Sequence, residues 1–519
     1  MGLYNLLENT SLLHPDKNAV VCGSRSFTYL QFKSRVDKLA GSFHSLGIKK
    51  GDRIAIIHQN CHIFLESYFA AAKIGAVLVP INYRLSPEDF VYILKDSQAE
   101  TLIVQADFYD SVDKDKYDVP LIKVVVAGGI GGEKVPESNL LYESLLEKDA
   151  NDKDQEVSIE DEDIAQLYYT SGTTGRPKGV ILTHSNNLEH ACASVNEFRL
   201  TLDDIWLHVS PMFHLADAWA VWAMTLSAAT HVMIPCFEPN SVLQSIQDHH
   251  VTLSNFIPTM LNILVNTPGV QEHDFSSLRL ILSGGAPIAR DVVKKVMKTF
   301  GCDYMQTYGM TETSPFLTIS KLSDEMAVLS HEEKLQFKSK TGRPFSGVQL
   351  KVVNEDGREV LSNQRDVGEI LVKGKTITPG YWQRPEETEK RIQNGWLHTR
   401  DLAVVDPEGF LTIVDRMDDQ ILTGGEKVYS IEVEDVLYSH PAVHEAAVFG
   451  LPDPIWGESV TAVVVKKEEI LDENDIIMYC KKKLASFKTP RKVFFADELP
   501  KTGSSKIHKY KLREKYSKK

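Results

Sequence analysis

The sequence predicts an α/β protein, and three observations carry that prediction. Short apolar, β-branched runs alternate with amphipathic runs of helical period, the pattern of parallel strands layered with helices. Hydrophobic residues make up 43% and charged residues 25% of the 519 residues, an ordinary globular balance with material for a large core. From 342 to 412 the texture changes to short strands and Gly/Pro turns, which fits a small β-rich subdomain. At roughly 100–200 residues per domain, this length makes three or four domain-sized units.

The elements follow in order. Residues 52–57 (DRIAII) read as a strand, 64–73 as a helix and 77–80 as a second strand; 101–104 and 122–126 continue the alternation. Residues 147–163 are strongly acidic and almost without core residues, so they read as a surface linker. Residues 167–169 form the next strand, and a Gly-rich loop follows. Residues 280–283 are a buried strand leading into Gly284-Gly285, and 288–300 have helical periodicity with lysines on one face. Residues 368–373 and 410–414 are strands of the β-rich part. The apolar run 218–229 is flanked by Asp217 and His231 and is short of the roughly 20 residues a membrane span needs, so it reads as a buried helix.

Charge and cysteine content narrow the function. Lys+Arg number 57 against 71 Asp+Glu, a formal charge of −14, the wrong sign for a dedicated nucleic-acid binder. Residues 418–519 hold 17 acidic and 17 basic residues, so the first 417 residues carry the whole deficit. The last 39 residues hold 14 basic against 3 acidic, which is either a solvated face or an attraction for polyphosphate ligands. None of the six cysteines forms a CxxC pair, which suits reduced thiols and offers no zinc site. The N-terminal residues lack the basic and apolar regions of a signal peptide, so the expected location is cytoplasmic.

The chemistry concentrates in YTSGTTGRPKG at 169–179. Its glycines allow tight turns in which several N–H groups point at one anion; its threonines and serine add hydroxyl donors, and Lys178 adds a charge. That suits the β- and γ-phosphates of a nucleotide, although the spacing is not that of a Walker A loop.

This segment resembles the phosphate loop of the adenylate-forming superfamily, which contains acyl-CoA synthetases, amino-acid adenylation domains and luciferases. Further motifs follow in that family's order over nearly the whole chain: YGMTE at 308–312, GRP at 342–344, WLHTRD at 396–401, DRMDD at 415–419 and PKTGSSK at 500–506. The resemblance is to medium- and long-chain fatty-acid–CoA ligases within it. It implies a large AMP-binding N-terminal domain, 1–417, with two α/β subdomains and the β-rich one. A small mobile α+β C-terminal domain, 418–519, follows.

The resemblance also implies roles. Thr170, Ser171, Gly172, Thr173, Thr174, Gly175 and Lys178 hold phosphates. Gly285, Ala286 and Pro287 leave room for a flat base, with Gln306, Tyr308 and Gly309 beside it; the Tyr308 ring stacks on adenine. Thr311 contacts the α-phosphate. Glu312 is the Mg²⁺ ligand, a hard oxygen for a hard cation, with Thr170 as a second ligand or water contact. Asp401 accepts from the ribose hydroxyls and Arg416 reaches the same sugar. Lys506 bridges the substrate carboxylate and the α-phosphate. Asp418 is the hinge that swings the C-terminal domain. Gly425 lets the pantetheine arm pass close to backbone, and Lys427 meets a CoA phosphate. Two positions depart from the family pattern: Ser505 and Arg400 stand where glycine is usual.

The implied reaction is ATP- and Mg²⁺-dependent activation of a carboxylic acid as its adenylate, then transfer to CoA. In fatty-acyl and aryl-CoA ligases an aromatic residue at the motif of His214 lines and gates the acyl pocket. Amino-acid adenylation domains place Asp after the Phe, so His214 after Phe213 disfavours an amino acid. A medium- or long-chain fatty acid is the main expectation. An aryl or short-chain acid is the alternative, as is loading of a carrier protein. Trp219, Trp222 and Met224, with Phe256, Ile257 and Pro258, are candidate lining residues; the tryptophans can equally pack in the core. The implied partners are a small carboxylic acid, ATP and CoA, without nucleic acid or an integral span. Peripheral membrane contact and a homodimer are compatible with such a ligase.

Overall fold

The structure, a computed structural model, describes residues 2–112, 117–128, 139–147, 157–170, 176–467, 471–501 and 507–517. The chain forms two compact units, Met1–Gln349 with Val372–Leu397, and Leu350–Leu371 with His398–Lys519.

The first unit holds two large sheets. One runs Leu140–Leu141, Lys123–Ala127, Thr101–Gln105, Arg53–Ile57, Val77–Pro80, Ile164–Thr170, Lys178–Thr183 from edge to edge. All neighbours are parallel except the last pair, which is antiparallel and sets Thr170 opposite Lys178. The other has nine strands, of which Thr230–Met233, Ile205–His208, Leu253–Phe256, Leu280–Ser283 and Asp303–Gly309 form a parallel centre. The first four of these strands are short and almost wholly buried, as strands covered on both faces are.

The expected strands appear within one to three residues of their forecast ends. Part of the acidic linker, 148–156, lies outside the described residues; 157–160 have no regular structure. The apolar run 218–229 mostly forms the buried helix Leu215–Leu226, and no helix among the described residues is long and apolar enough to cross a membrane.

That helix packs on His62–Ile74 through Trp222, whose ring lies 5.0 Å from Phe69 and 5.7 Å from Tyr68. Trp219 lies 5.0 Å from Trp206 and 5.1 Å from Phe316. Trp219 is 1% exposed, Trp222 2% and Met224 0%. These three residues pack in the core, which for the tryptophans is the second of the two placements the sequence left open. Phe256 likewise joins a buried cluster with Leu207, Val242 and Ile281.

In the second unit, Gly368–Lys373 lies between Gln349–Val353 and Trp396–Val405, and Leu411–Arg416 runs antiparallel to Trp396–Val405. A second sheet has the order Glu426–Val428, Ile421–Thr423, Gly457–Lys466, Val443–Asp453, with Lys492–Phe495 parallel to Gly457–Lys466. Strand alternation builds cores on both faces. Val448 packs with Val433 and Ile476 of two helices, while Ala447 and Phe449 pack with Leu512 and Tyr516 of the last helix.

Candidate functional site

Thr170 ends one strand and Lys178 begins its antiparallel neighbour, the edge strand of that sheet. Ser171, Gly172, Thr173, Thr174 and Gly175 lie outside the described residues. The Lys178 Nζ sits 2.6 Å from Glu387 Oε1 and 5.9 Å from the centre of the Tyr381 ring. The Lys178 charge draws the Glu387 carboxyl below its usual range.

Tyr381 ties this edge to Glu312. Val180 bridges Tyr381, the Trp382 N–H donates to Gly179 O at 2.8 Å, and Thr378 Oγ1 donates to Ile181 O at 2.6 Å. The same 376–381 segment is fastened to the turn Thr311–Thr313. Ser314 Oγ donates to Thr376 O at 2.7 Å, Thr378 N donates to Glu312 O at 2.8 Å, and Tyr381 OH donates to Glu312 Oε1 at 2.8 Å. Burial and the adjacent Glu312 charge push the Tyr381 phenol up, so it stays a donor. Tyr381 was not singled out from sequence, although the Gly-Tyr-Trp run before a Pro-led helix was a visible signal.

Glu312 is 8% exposed. Among the described residues no group of three or more His, Cys, Asp and Glu side chains could hold a metal unaided. Magnesium usually keeps several waters and takes one or two carboxylates plus phosphate oxygens. A single buried carboxylate, Glu312, suits a cation that arrives with the phosphates of a nucleotide.

The strands Leu280–Ser283 and Asp303–Gly309 deliver the next group. Gly285 has φ +86°, a conformation that favours glycine, and Ala286 and Pro287 are exposed beside it. Gln306 Nε2 donates to Ala286 O at 3.1 Å, and the Gln306 side chain is itself held by Tyr304 OH. Half-buried Tyr308 follows two residues on. At Gly309 a Cβ would lie 1.8 Å from Pro315 O, so only glycine allows the strand to pass there.

His214 begins the helix Leu215–Leu226, its ring 4.6 Å from that of Phe213. This region is held by buried polar side chains from a loop, a helix and a strand. Asn60 Oδ1 accepts from Met212 N at 2.8 Å and its Nδ2 donates to Ser210 O at 2.9 Å. Tyr68 OH donates to Met212 O at 2.9 Å, and Asn255 Nδ2 donates to Ala216 O at 2.8 Å. Asp217, in the first turn, lies 2.5 Å from His208 Nδ1. Asn60, Tyr68 and Asn255 were missed from sequence, since buried amides at such separations carry no periodic signal.

In the second unit, Asp401 and Arg416 face each other across antiparallel strands with Nε 3.3 Å from Oδ1. The Asp401 N–H donates to Thr399 Oγ1 at 3.1 Å. Arg400 has φ +62° and holds Asp418 with two guanidinium nitrogens, Nε at 3.1 Å and Nη2. The departure from glycine is therefore tolerated in a left-handed backbone. That conformation costs a non-glycine residue about 1–2 kcal/mol, whereas an exposed ion pair returns about 0–1 kcal/mol. Arg400→Ala, which keeps the strain and loses the pair, is expected to be less stable than Arg400→Gly by about 1 kcal/mol, checked by denaturant titration. Gly424 and Gly425, φ +61° and +85°, make the hairpin turn between Ile421–Thr423 and Glu426–Val428; Lys427 pairs with Glu355. Lys506 and Ser505 lie outside the described residues.

The chain matches the AMP-binding enzyme family over residues 7–382 and the AMP-binding enzyme C-terminal domain over 432–506. It belongs to the AMP-binding enzyme family. This AMP-binding enzyme is 34% identical over 506 residues to a feruloyl-CoA synthase from an Amycolatopsis species, covering 97% of each chain. It is also 34% identical over 510 residues to the 2-succinylbenzoate–CoA ligase of Bacillus cereus strain Q1, covering 98% of each. Among solved structures it is similar to o-succinylbenzoate CoA synthetase from Bacillus subtilis. In complex with its acyl-adenylate, that protein matches at 30% identity and TM-score 0.83, with 98% of each chain covered. In complex with ATP and a magnesium ion, it matches at 30% identity and TM-score 0.85, covering 98% of this chain and 99% of that one. The first two relatives are named for aromatic acids rather than for fatty acids, which favours the aryl alternative over the fatty-acid expectation.

Proposed function

We propose that this ATP-dependent acid–thiol ligase activates an aromatic carboxylic acid as its adenylate and transfers the acyl group to CoA. The observation that carries the reading is the end-to-end likeness to ligases named for feruloyl and succinylbenzoyl groups, with every nucleotide motif in order. The aromatic surroundings of the gate support it: the Phe213 ring lies 5.3 Å from Tyr83, itself stacked on Phe108 at 5.1 Å.

In this reading a carboxylate oxygen attacks the α-phosphorus and the bond to the β-phosphate oxygen breaks, releasing pyrophosphate. Tyr308 stacks on adenine, Asp401 and Arg416 hold the ribose, and Thr311 orients the α-phosphate. Glu312 and Thr170 would hold magnesium, which would neutralise charge developing on the phosphates. Lys506 screens the two anions from each other. The CoA sulfur then attacks the acyl carbon, loses its proton and displaces AMP. Asp418 is the hinge that exchanges Lys506 for the Gly425 turn.

The test is AMP release with ATP and magnesium across benzoates, cinnamates, octanoate, palmitate and acetate, with and without CoA. CoA-dependent turnover at least tenfold better with an aromatic acid is expected. Best turnover with octanoate or palmitate would return the fatty-acid reading. Pyrophosphate exchange that CoA leaves unchanged would move the second half-reaction to a carrier protein.

A further inference from the structure

We infer that Asn255 reads a hydrogen-bond donor on the acyl group, so that the preferred acid carries a hydroxyl or amino substituent. This rests on the reading of the His214 region as the acyl site.

Asn255 is the third residue of the strand Leu253–Phe256 and is 2% exposed. Its Nδ2 donates to Ala216 O at 2.8 Å. A carbonyl only accepts, so the amide has one orientation, with Oδ1 turned from Ala216. That Oδ1 is buried and has no hydrogen-bond partner among the described residues. Close by, Ser254 Oγ donates to Leu207 O at 2.8 Å, and Ser210 Oγ donates to the Asn255 main-chain O at 3.1 Å. Buried acceptors are normally paired, and one left open needs a reason.

Its position supplies one. In open parallel sheets ligands bind beyond the carboxyl ends of the strands, and Asn255 stands one residue from such an end. On one side it holds the carbonyl of Ala216, two residues after His214. On the other, Ile257 Cγ2 lies 3.8 Å from where a Cβ on Gly285 would sit, beside the expected adenine loop. An acyl group joined to AMP runs between these two loops. An amide oxygen there accepts from O–H or N–H and offers nothing to an ether or a bare ring, and a site built to pair a substrate donor discriminates against the analogue that lacks it.

The experiment measures kcat/KM of the full-length enzyme for matched acids. These are benzoate and cinnamate, their ortho, meta and para hydroxy and amino derivatives, and the corresponding methyl ethers. The best donor-bearing acid is expected to exceed its parent and its ether on the order of 10- to 100-fold. In Asn255→Leu that ratio is expected to fall to within about threefold. Because the ratio is internal to each protein, a general loss of activity does not affect it, and if Asn255→Leu does not fold, the wild-type ratio over the methyl ethers remains decisive. Wild-type preference below threefold, or a preference unchanged in Asn255→Leu, overturns the inference. If alkanoic acids prove to be the substrates, the aromatic reading falls separately, and 4-hydroxybutyrate against butyrate applies the same ratio test.

Discussion

Lys506→Ala is expected to slow acyl-adenylate formation on the order of 10²–10³-fold. Joining a carboxylate to an α-phosphate brings two anions together, and in the proposed reading Lys506 supplies the charge that offsets their repulsion. Two unit charges 4 Å apart at an effective dielectric of 20 interact by about 4 kcal/mol, which corresponds to about three decades in rate. Removing a preorganised group that stabilises developing charge costs a similar factor. The thioester half-reaction, started from preformed acyl-adenylate and CoA, is expected to change only a few-fold, because the proposed reading gives that step to the Gly425 turn and not to Lys506. Pyrophosphate exchange measures the first half, and thioester formation from synthetic acyl-adenylate measures the second. A loss below tenfold in exchange, or equal losses in both halves, would remove Lys506 from its assigned place.

The second large effect is expected at Glu312. Glu312→Gln keeps the shape, and its amide oxygen can still accept from Tyr381 OH, now 2.8 Å from Oε1. The fastening of the 376–381 segment therefore survives while one negative charge disappears. Activity is expected to fall on the order of 10²-fold, with the magnesium optimum at fixed ATP displaced to higher concentration. Tyr381→Phe keeps the charge and loses one buried hydrogen bond, so a loss of about tenfold or less, with an unmoved magnesium optimum, is the expected contrast. Equal magnesium curves for wild type and Glu312→Gln would sink the metal assignment.

Much of the fold and the order of the site was legible in the residues themselves. The parallel strands announced themselves because strands buried on both faces are short unbroken apolar runs, as at Leu280–Ser283 and Val77–Pro80. The nucleotide motifs were legible because phosphate chemistry is local: glycines, hydroxyls and a lysine must lie within a few residues of one another. The β-rich segment was legible from its turns.

Tertiary structure alone decided the rest. Periodicity reports that a face is buried but not what it meets. Trp219 and Trp222 therefore fitted pocket or core equally until Trp206, Phe69 and Phe316 were seen against them. The partners of Glu312 and Met212 lie 69 and 152 residues away in the chain, and single buried hydrogen bonds over such distances leave no pattern to read. The same holds for Arg400, whose left-handed backbone and grip on Asp418 follow from strand pairing and not from its neighbours in sequence. Composition and motif order determined the class and family of this protein. Packing, which joins residues with no sequence relation, decided which side chains position the site.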